Sequence, residues 1–394
     1  MEKFPTCYDN LMSGGKRDSS YVCDTSIYPT LPDVVTDVEN IDRIISVSDI
    51  HGDLNLAIKL LEIPKLIERV YKLDDLTVKM WYKNEDTQRY YKWIGTRTIV
   101  VQVGDQVDRC RPYKGNCLIP EMTIDDESSD LTIMFFYQDL HIVALKADCA
   151  VYSLLGNHEI LNVLGNMDYV SYKGLKEFPT NRHNKDIKSG RINAFKHNST
   201  ELYYKKKSTL PEFLGCGRQT SMIIDGYLFI HAGIMEKLIS FVKKKSTEIV
   251  PTINKAVREW LLTSYLPKDQ DFINTIILGK EESPFWPRIF GTIKKNKDLK
   301  SNECQTYVAP ILKALSLKGI VVGHTPQLVT NINSTCSNTV WRVDVASSQA
   351  FDEVLFVGKK NANKRKKIQK GRKPQVLEII LGKQNIKDKF NILF

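Results

Sequence analysis

Long apolar runs are missing from this chain of 394 residues. None reaches the roughly eighteen residues that a membrane-spanning helix requires. The opening MEKFPTCYDN also lacks the apolar core of a secretory signal. Both absences lead to the expectation of a cytoplasmic protein, in the host cytoplasm if the gene is viral. Cysteine is present but unpatterned. There are eight, with no C-x-x-C pair, which argues against a structural zinc module and against a small secreted disulfide scaffold. Free thiols are therefore expected, with Cys110 and Cys117 the one pair near enough in sequence to lie close. Acidic residues are missing from one tract. GKKNANKRKKIQKGRK, 358–373, carries nine Lys or Arg in a chain whose formal charge is +10. It reads as a solvated loop: either a solubilising insertion or an electrostatic contact for nucleic acid or an acidic protein.

What is there is enough for a substantial core, with 42% hydrophobic residues. Residues 1–40 show no clear periodicity and read as an N-terminal extension packing on one domain, 41–394. Six short β-branched-rich runs read as buried strands: 43–48, 97–103, 150–155, 227–232, 319–324 and 339–345. Helical patterns lie between them at 55–73, interrupted at Pro64, and at 129–148, 249–266 and 304–318. Strand alternating with helix is an α/β pattern. Residues 83–91 and 178–207, both strongly polar, and the basic tract read as insertions. In the second of these, His183 and His197 are expected to be solvated. His141 reads as a helix residue, packed or at the surface.

Polar residues able to bind metal gather where those strands finish. VSDIHGDL (47–54) places Asp49 and His51 two apart; VGDQVDRC (103–110), LLGNHEIL (154–161), FIHAGI (229–234) and VVGHTPQ (321–327) follow. Each alone is as well explained by a turn or by a histidine satisfied on the backbone. Five such loops in order, each behind an apolar run, can converge outside the carboxyl ends of a sheet, where α/β proteins bind ligands. Imidazole nitrogen with Asp and Asn oxygen, and no thiolate, suits Mn, Fe, Zn or Co. Two divalent ions about 3.5–4 Å apart need a bridging carboxylate, and Asp105 is the candidate.

SDIHGD, GDQVDRC, GNHE and HAG resemble the signature blocks of the PPP phosphoprotein phosphatases within the calcineurin-like metallophosphoesterases. WIGTRTIVVQVGDQVDR, LLGNHEILNVLGNMDYV, SPFWPRIFG, IVVGHTPQ and WRVDVASSQAF bring the resemblance nearest to the Shewanella-like, bacterial-type branch. It runs from Asp42 to about Ile380. It implies an αββα sandwich of two mixed sheets flanked by helices, with a dinuclear metal site at the strand ends. Position by position, it implies one divalent metal (Mn, Fe or Zn) on Asp49, His51 and Asp105, and a second on Asp105, Asn157, His231 and His324. His158, oriented by Asp108, would be the general acid; Arg109, Arg288 and Asn157 would bind the substrate. A metal-bridging hydroxide would attack the phosphorus of a phosphoprotein, on Ser or Thr, with Tyr left open.

Three positions depart from the family pattern: Ser48, Cys110 and Ala232 each replace a glycine. Ser and Ala are small, whereas Cys110 brings an oxidisable side chain beside Arg109. Two rivals stay open. One is a dinucleoside-tetraphosphate or other phosphodiester or phosphoanhydride hydrolase, because the blocks are shared across the superfamily. The other is a degenerate fold used to bind nucleic acid.

Overall fold

Strands Arg43–Val47, Thr98–Gln102 and Ala150–Ser153 lie side by side and parallel, extending the β-branched runs into one sheet. Val376–Ile380 joins antiparallel to Arg43–Val47, and Lys389–Leu393 closes that edge. A second, six-stranded sheet runs Val34–Val35, Ser221–Ile224, Tyr227–Ile230, Gly319–Val322, Val340–Arg342, Asn333–Thr335. The structure is a computed structural model that describes residues 22–80, 89–111, 116–180, 186–328, 330–356, 365–368, 373–383 and 386–394.

The two sheets face each other. Ile44, Ile99, Val101 and Tyr152 from one pack with Met222, Phe229, Val321 and Trp341 from the other in a single apolar layer. Alternate residues of the same strands turn outward under helices: Ile45, Val100 and Val151 meet Leu60, Phe136 and Leu140, and Leu228, Ile230 and Ile320 meet Ile253, Val257 and Trp260. This is an αββα sandwich. Period-two alternation sends one face of each strand to the sheet interface and the other to the helices, and each buried aliphatic side chain contributes roughly 1.5–3 kcal/mol.

Four sequence expectations are corrected. The pattern from 55 to 73 is a helix only over Leu54–Glu62. Lys65 takes a left-handed φ of 57° just after Pro64, and Ile67–Val70 turns into a strand of a separate three-stranded sheet with Thr77–Met80 and Arg89–Trp93. In the basic tract, Arg365–Ile368 is a strand paired antiparallel with Glu353–Phe356 rather than loop; most of the remainder lies outside the described residues. His197 is packed edge-on against Trp260, ring centroids 4.6 Å apart, and burial pushes its imidazole down to about 4; His183 lies outside the described residues. Finally, six cysteines are not free: Cys23–Cys216, Cys110–Cys117 and Cys304–Cys336 are disulfides, and Cys149 is a buried thiol. The first of these, with Ile27 and Tyr28 in the core, fastens the N-terminal extension to the helix Leu210–Gly217.

Candidate metal centre

The five strand-end loops do converge. The peptide N–H groups of Ile50 and His51 both donate to the Asp105 carbonyl at 2.9 Å, and Gly323 N–H donates to the His231 carbonyl at 2.9 Å. Glu159, in the first turn of the helix Asn157–Val163, accepts from the backbone N–H of Gly156 (2.7 Å), Asp105 (3.0 Å) and Gln106 (2.8 Å), so one carboxylate locks two loops together. Asp53 caps the helix Leu54–Glu62 by accepting from Leu56 N–H at 3.0 Å, which fixes the loop carrying Asp49 and His51. The glycines of the G-N-H-E and V-V-G-H blocks are needed for space: a side chain at Gly156 would collide with Asp105, and one at Gly323 with Asp49. His51, Asp105, Asp108 and His324 all hold left-handed φ values of 50–73°. Non-glycine residues rarely adopt that conformation, and it clusters at functional sites.

Two groups of ligating atoms share Asp105. His51, Asp105 and His158 form one, and Asp105, His231 and His324 the other, with the ligating atoms of each group within 4.8 Å of one another. Asp105 Oδ2 lies 3.3 Å from His231 Nε2 and 3.9 Å from both His51 Nε2 and His158 Nε2. Asn157 Oδ1 stands 2.9 Å from His231 Nε2 and 2.8 Å from His324 Nδ1. Asp49 Oδ2 is 3.9 Å from His51 Nε2 and accepts from His324 N–H at 3.0 Å. The outer nitrogens of His51 and His231 rest on the carbonyls of Val107 (3.3 Å) and Val103 (2.9 Å), the bracing that metal-bound histidines require. The six residues expected to hold metal are therefore brought together.

Electrostatics favours a cation there. Burial drives the Asp49 carboxyl well above the ordinary range, with Asp344 adding to the rise. Burial also raises Asp105, but His231, His158 and His51 outweigh it and hold that carboxyl well below its usual value. For His231, burial is overcome by Asp105 and Asp49, and the imidazole rises to about 9. Among the described residues, Asp49 Oδ1, His324 Nε2 and Asp344 Oδ2 are buried without a hydrogen-bond partner. Orphaned buried acceptors of this kind are costly unless something answers them, and divalent cations would do so. The donor set thus fits metal.

A family model for calcineurin-like phosphoesterases matches residues 42–328. The chain belongs to that family. An uncharacterized protein of Acanthamoeba polyphaga mimivirus is 36% identical to this phosphoesterase over 175 residues, 41% of this chain and 66% of that protein. The chain thus spans just under two thirds of that relative's length. Among solved structures, the cold-active protein-tyrosine phosphatase of a psychrophilic Shewanella species is similar at 20% identity, with 90% of this chain and 80% of that one covered and a TM-score of 0.54. A mutant cold-active protein tyrosine phosphatase gives a TM-score of 0.56 at 19% identity, over 90% and 79% of the two chains. At such identities the likeness is one of fold.

Beside these candidate ligands, the phosphoesterase carries a second polar network. His158 Nδ1 meets Asp108 Oδ2 at 2.8 Å. Asp108 Oδ1 accepts from Asn162 (2.9 Å) and from Arg191 Nη2 (3.1 Å), and Arg191 also pairs with Asp130 at 2.7 Å. Arg191 is fully buried, and it comes from the polar stretch that reads in sequence as an insertion. Arg288 is exposed, with its Nη1 on the His324 carbonyl at 3.1 Å. Arg109 is placed differently: it is 3% exposed and bonded to the Gly52 carbonyl (2.8 Å), Glu127 (2.6 Å) and Gln349 (2.6 Å). Arg191, Asp130, Asn162, Asp344 and Arg111 escape sequence reasoning. For Asp344 a signal existed, in the WRVDVASSQAF block at the end of the last run.

Proposed function

We propose that the protein is a metal-dependent phosphomonoesterase acting on phosphoproteins, at phosphoserine or phosphothreonine and also at phosphotyrosine. One observation carries the reading: His158 is held by Asp108 at 2.8 Å on one nitrogen, while its other nitrogen faces the shared Asp105 at 3.9 Å. That is the placement of a proton donor at the edge of a metal pair. Asp49, His51 and Asp105 would hold one divalent ion, and Asp105, Asn157, His231 and His324 the other. When bound, such ions supply Lewis-acid charge for the phosphoryl oxygens and acidify a water. The chain's own part follows. Asp108 holds the ring at Nδ1, which leaves His158 Nε2 as the nitrogen that would face the departing oxygen and, on the protonated ring, give it a proton. Arg288, open to solvent beside His324, meets phosphoryl oxygens. Mn, Fe and Zn all suit the nitrogen and oxygen donors.

The protein-tyrosine phosphatase named in the Shewanella structure supports a phosphoprotein substrate, and the basic tract, 358–373, supports an acidic one. No helix among the described residues is long and apolar enough to cross a membrane. Disulfides persist where thiols are not kept reduced, so the three pairs favour an oxidising setting over the reducing cytoplasm.

The test is hydrolysis by apo protein reloaded with Mn, Fe or Zn, against phosphoserine, phosphothreonine and phosphotyrosine peptides and diadenosine tetraphosphate. Metal-dependent turnover of peptides is expected. Turnover of diadenosine tetraphosphate alone would assign the anhydride reaction instead, and nucleic-acid binding without any turnover would leave a binding module.

A further inference from the structure

Arg109 and Arg111 stand two residues apart and are used in opposite ways. The guanidinium of Arg109 is buried among Gly52, Glu127 and Gln349, and its ion pair with Glu127 at 2.6 Å would have to break before it could meet a ligand. Arg111 is only half-buried. Its Nη1 donates to the carbonyls of Asp108 (3.0 Å) and Cys110 (2.9 Å), and among the described residues its Nε and Nη2 carry no hydrogen bond. The guanidinium lies 4.7 Å over the Phe351 ring. That ring packs edge-on against His51, centroids 5.4 Å apart, and His51 in turn lies 4.9 Å from His158. Arg111 thus presents free donors beside the ligand cluster and the proton donor.

The backbone around it is fastened. Cys110 N–H donates to the Tyr169 carbonyl at 2.9 Å, Tyr169 packs on His158, and Cys110 is bonded to Cys117. A short covalent loop therefore closes directly on Arg111, at a position where a glycine would leave the backbone free. We propose that Arg111 binds the substrate phosphate in place of Arg109, and that the Cys110–Cys117 disulfide holds it in position. The proposal rests on the phosphomonoesterase reading for its substrate, but not for its anion. A planar guanidinium with spare donors recognises phosphate by paired hydrogen bonds.

The probe is inorganic phosphate, titrated calorimetrically into the metal-loaded full chain, with metal content and thermal unfolding measured for every variant. Arg111→Ala should weaken phosphate binding on the order of ten- to a hundredfold, as befits hydrogen bonds to a charged group, with bound metal and unfolding unchanged. Arg111→Lys should recover part of the loss. Cys117→Ser should weaken binding several-fold, less than Arg111→Ala. Arg109→Ala should lower the unfolding temperature and leave phosphate affinity in the surviving folded protein within about twofold. Wild type that binds no phosphate, or an Arg111→Ala variant with unaltered affinity, overturns the assignment; unaltered affinity in Cys117→Ser overturns the brace. Phosphate binding through Arg111 in a protein that hydrolyses no phosphomonoester would sustain this inference while removing the proposed activity.

Discussion

Two charged networks meet at His158, and they balance their charge in different ways. On one side Asp49, Asp105 and the histidines form a cluster with buried atoms left over: among the described residues, Asp49 Oδ1 and His324 Nε2 have no partner. On the other, Asp108, Asn162, Asp130 and Arg191 close on themselves, since Arg191 Nε reaches Asn162 (2.6 Å), Nη1 the Gly174 carbonyl (3.3 Å) and Nη2 both aspartates. The first network needs a cation from outside; the second carries its own. Pairing a buried charge internally gives a fixed orientation, and leaving it unpaired gives a binding site. His158 belongs to both, with one ring nitrogen on Asp108 and the other facing Asp105.

Asp105→Asn strikes the open network at its shared residue and should have the largest effect. The side chain is nearly isosteric, so the fold should survive while both ion sites lose their common charge. Loss of several kcal/mol of transition-state stabilisation corresponds to a fall of about a thousandfold or more in metal-dependent turnover. Elemental analysis should show depleted metal, and normal metal content with substantial turnover would break the shared-carboxylate model.

His158→Asn tests the junction. A general acid contributes on the order of 10²–10⁴-fold, and kcat should drop within that range on alkyl phosphates. Aryl phosphates, whose leaving groups need little protonation, should lose much less, and metal content should stay near wild type. Equal losses on the two substrates would remove the acid role from His158.

Arg191→Ala strikes the closed network. It leaves Asp130 in the core with no cation and Asp108 with His158 alone, and breaking a buried pair this way costs about 3–5 kcal/mol. A lowered unfolding temperature is expected, with kcat reduced roughly tenfold as His158 loses its fixed support. Metal content per folded molecule should hold. A variant that unfolds like wild type would show Arg191 to be dispensable to the pair.

The open network was legible in the sequence, whereas of the closed one only Asp108, beside His158, was. Asp49 with His51, Gly104 with Asp105, and Gly323 with His324 announce themselves because each follows an apolar strand, where chain direction alone brings ligating residues to one edge of a sheet. Arg191 gives no such sign. It sits among lysines and asparagines, and only the packing of Phe178 and Phe195, each with its ring about 5.2 Å from the guanidinium, carries it into the core. Cys23 and Cys216 are 193 residues apart, a pairing that no spacing rule can propose. The strand at Ile67–Val70 was lost to a helical reading because Ile67 and Val70, three residues apart around Glu68 and Arg69, fit a helical spacing, and its strand partners decide the outcome.

The smallest effect on chemistry should come from the basic tract, which touches neither network's ligands in sequence. Deleting it would remove the strand Arg365–Ile368 that pairs with Glu353–Phe356, shortly after Phe351 at the metal centre, so charge removal is the cleaner experiment. Glutamine in place of Lys359, Lys360, Lys364, Lys366, Lys367 and Lys370 keeps a polar side chain only slightly shorter while removing charge. If the tract steers acidic phosphoproteins, kcat/KM on such substrates should fall by about tenfold at low salt, the lower end of electrostatic steering. The gap between wild type and variant should close as salt screens the attraction over a Debye length of about 8–10 Å. Hydrolysis of a small aryl phosphate should stay within about twofold, because an anion of that size is bound by the centre itself. Equal rates on acidic phosphoproteins at every salt concentration would leave the tract as a solubilising insertion. A fall on the small substrate with unaltered unfolding would place its charge at the cleft.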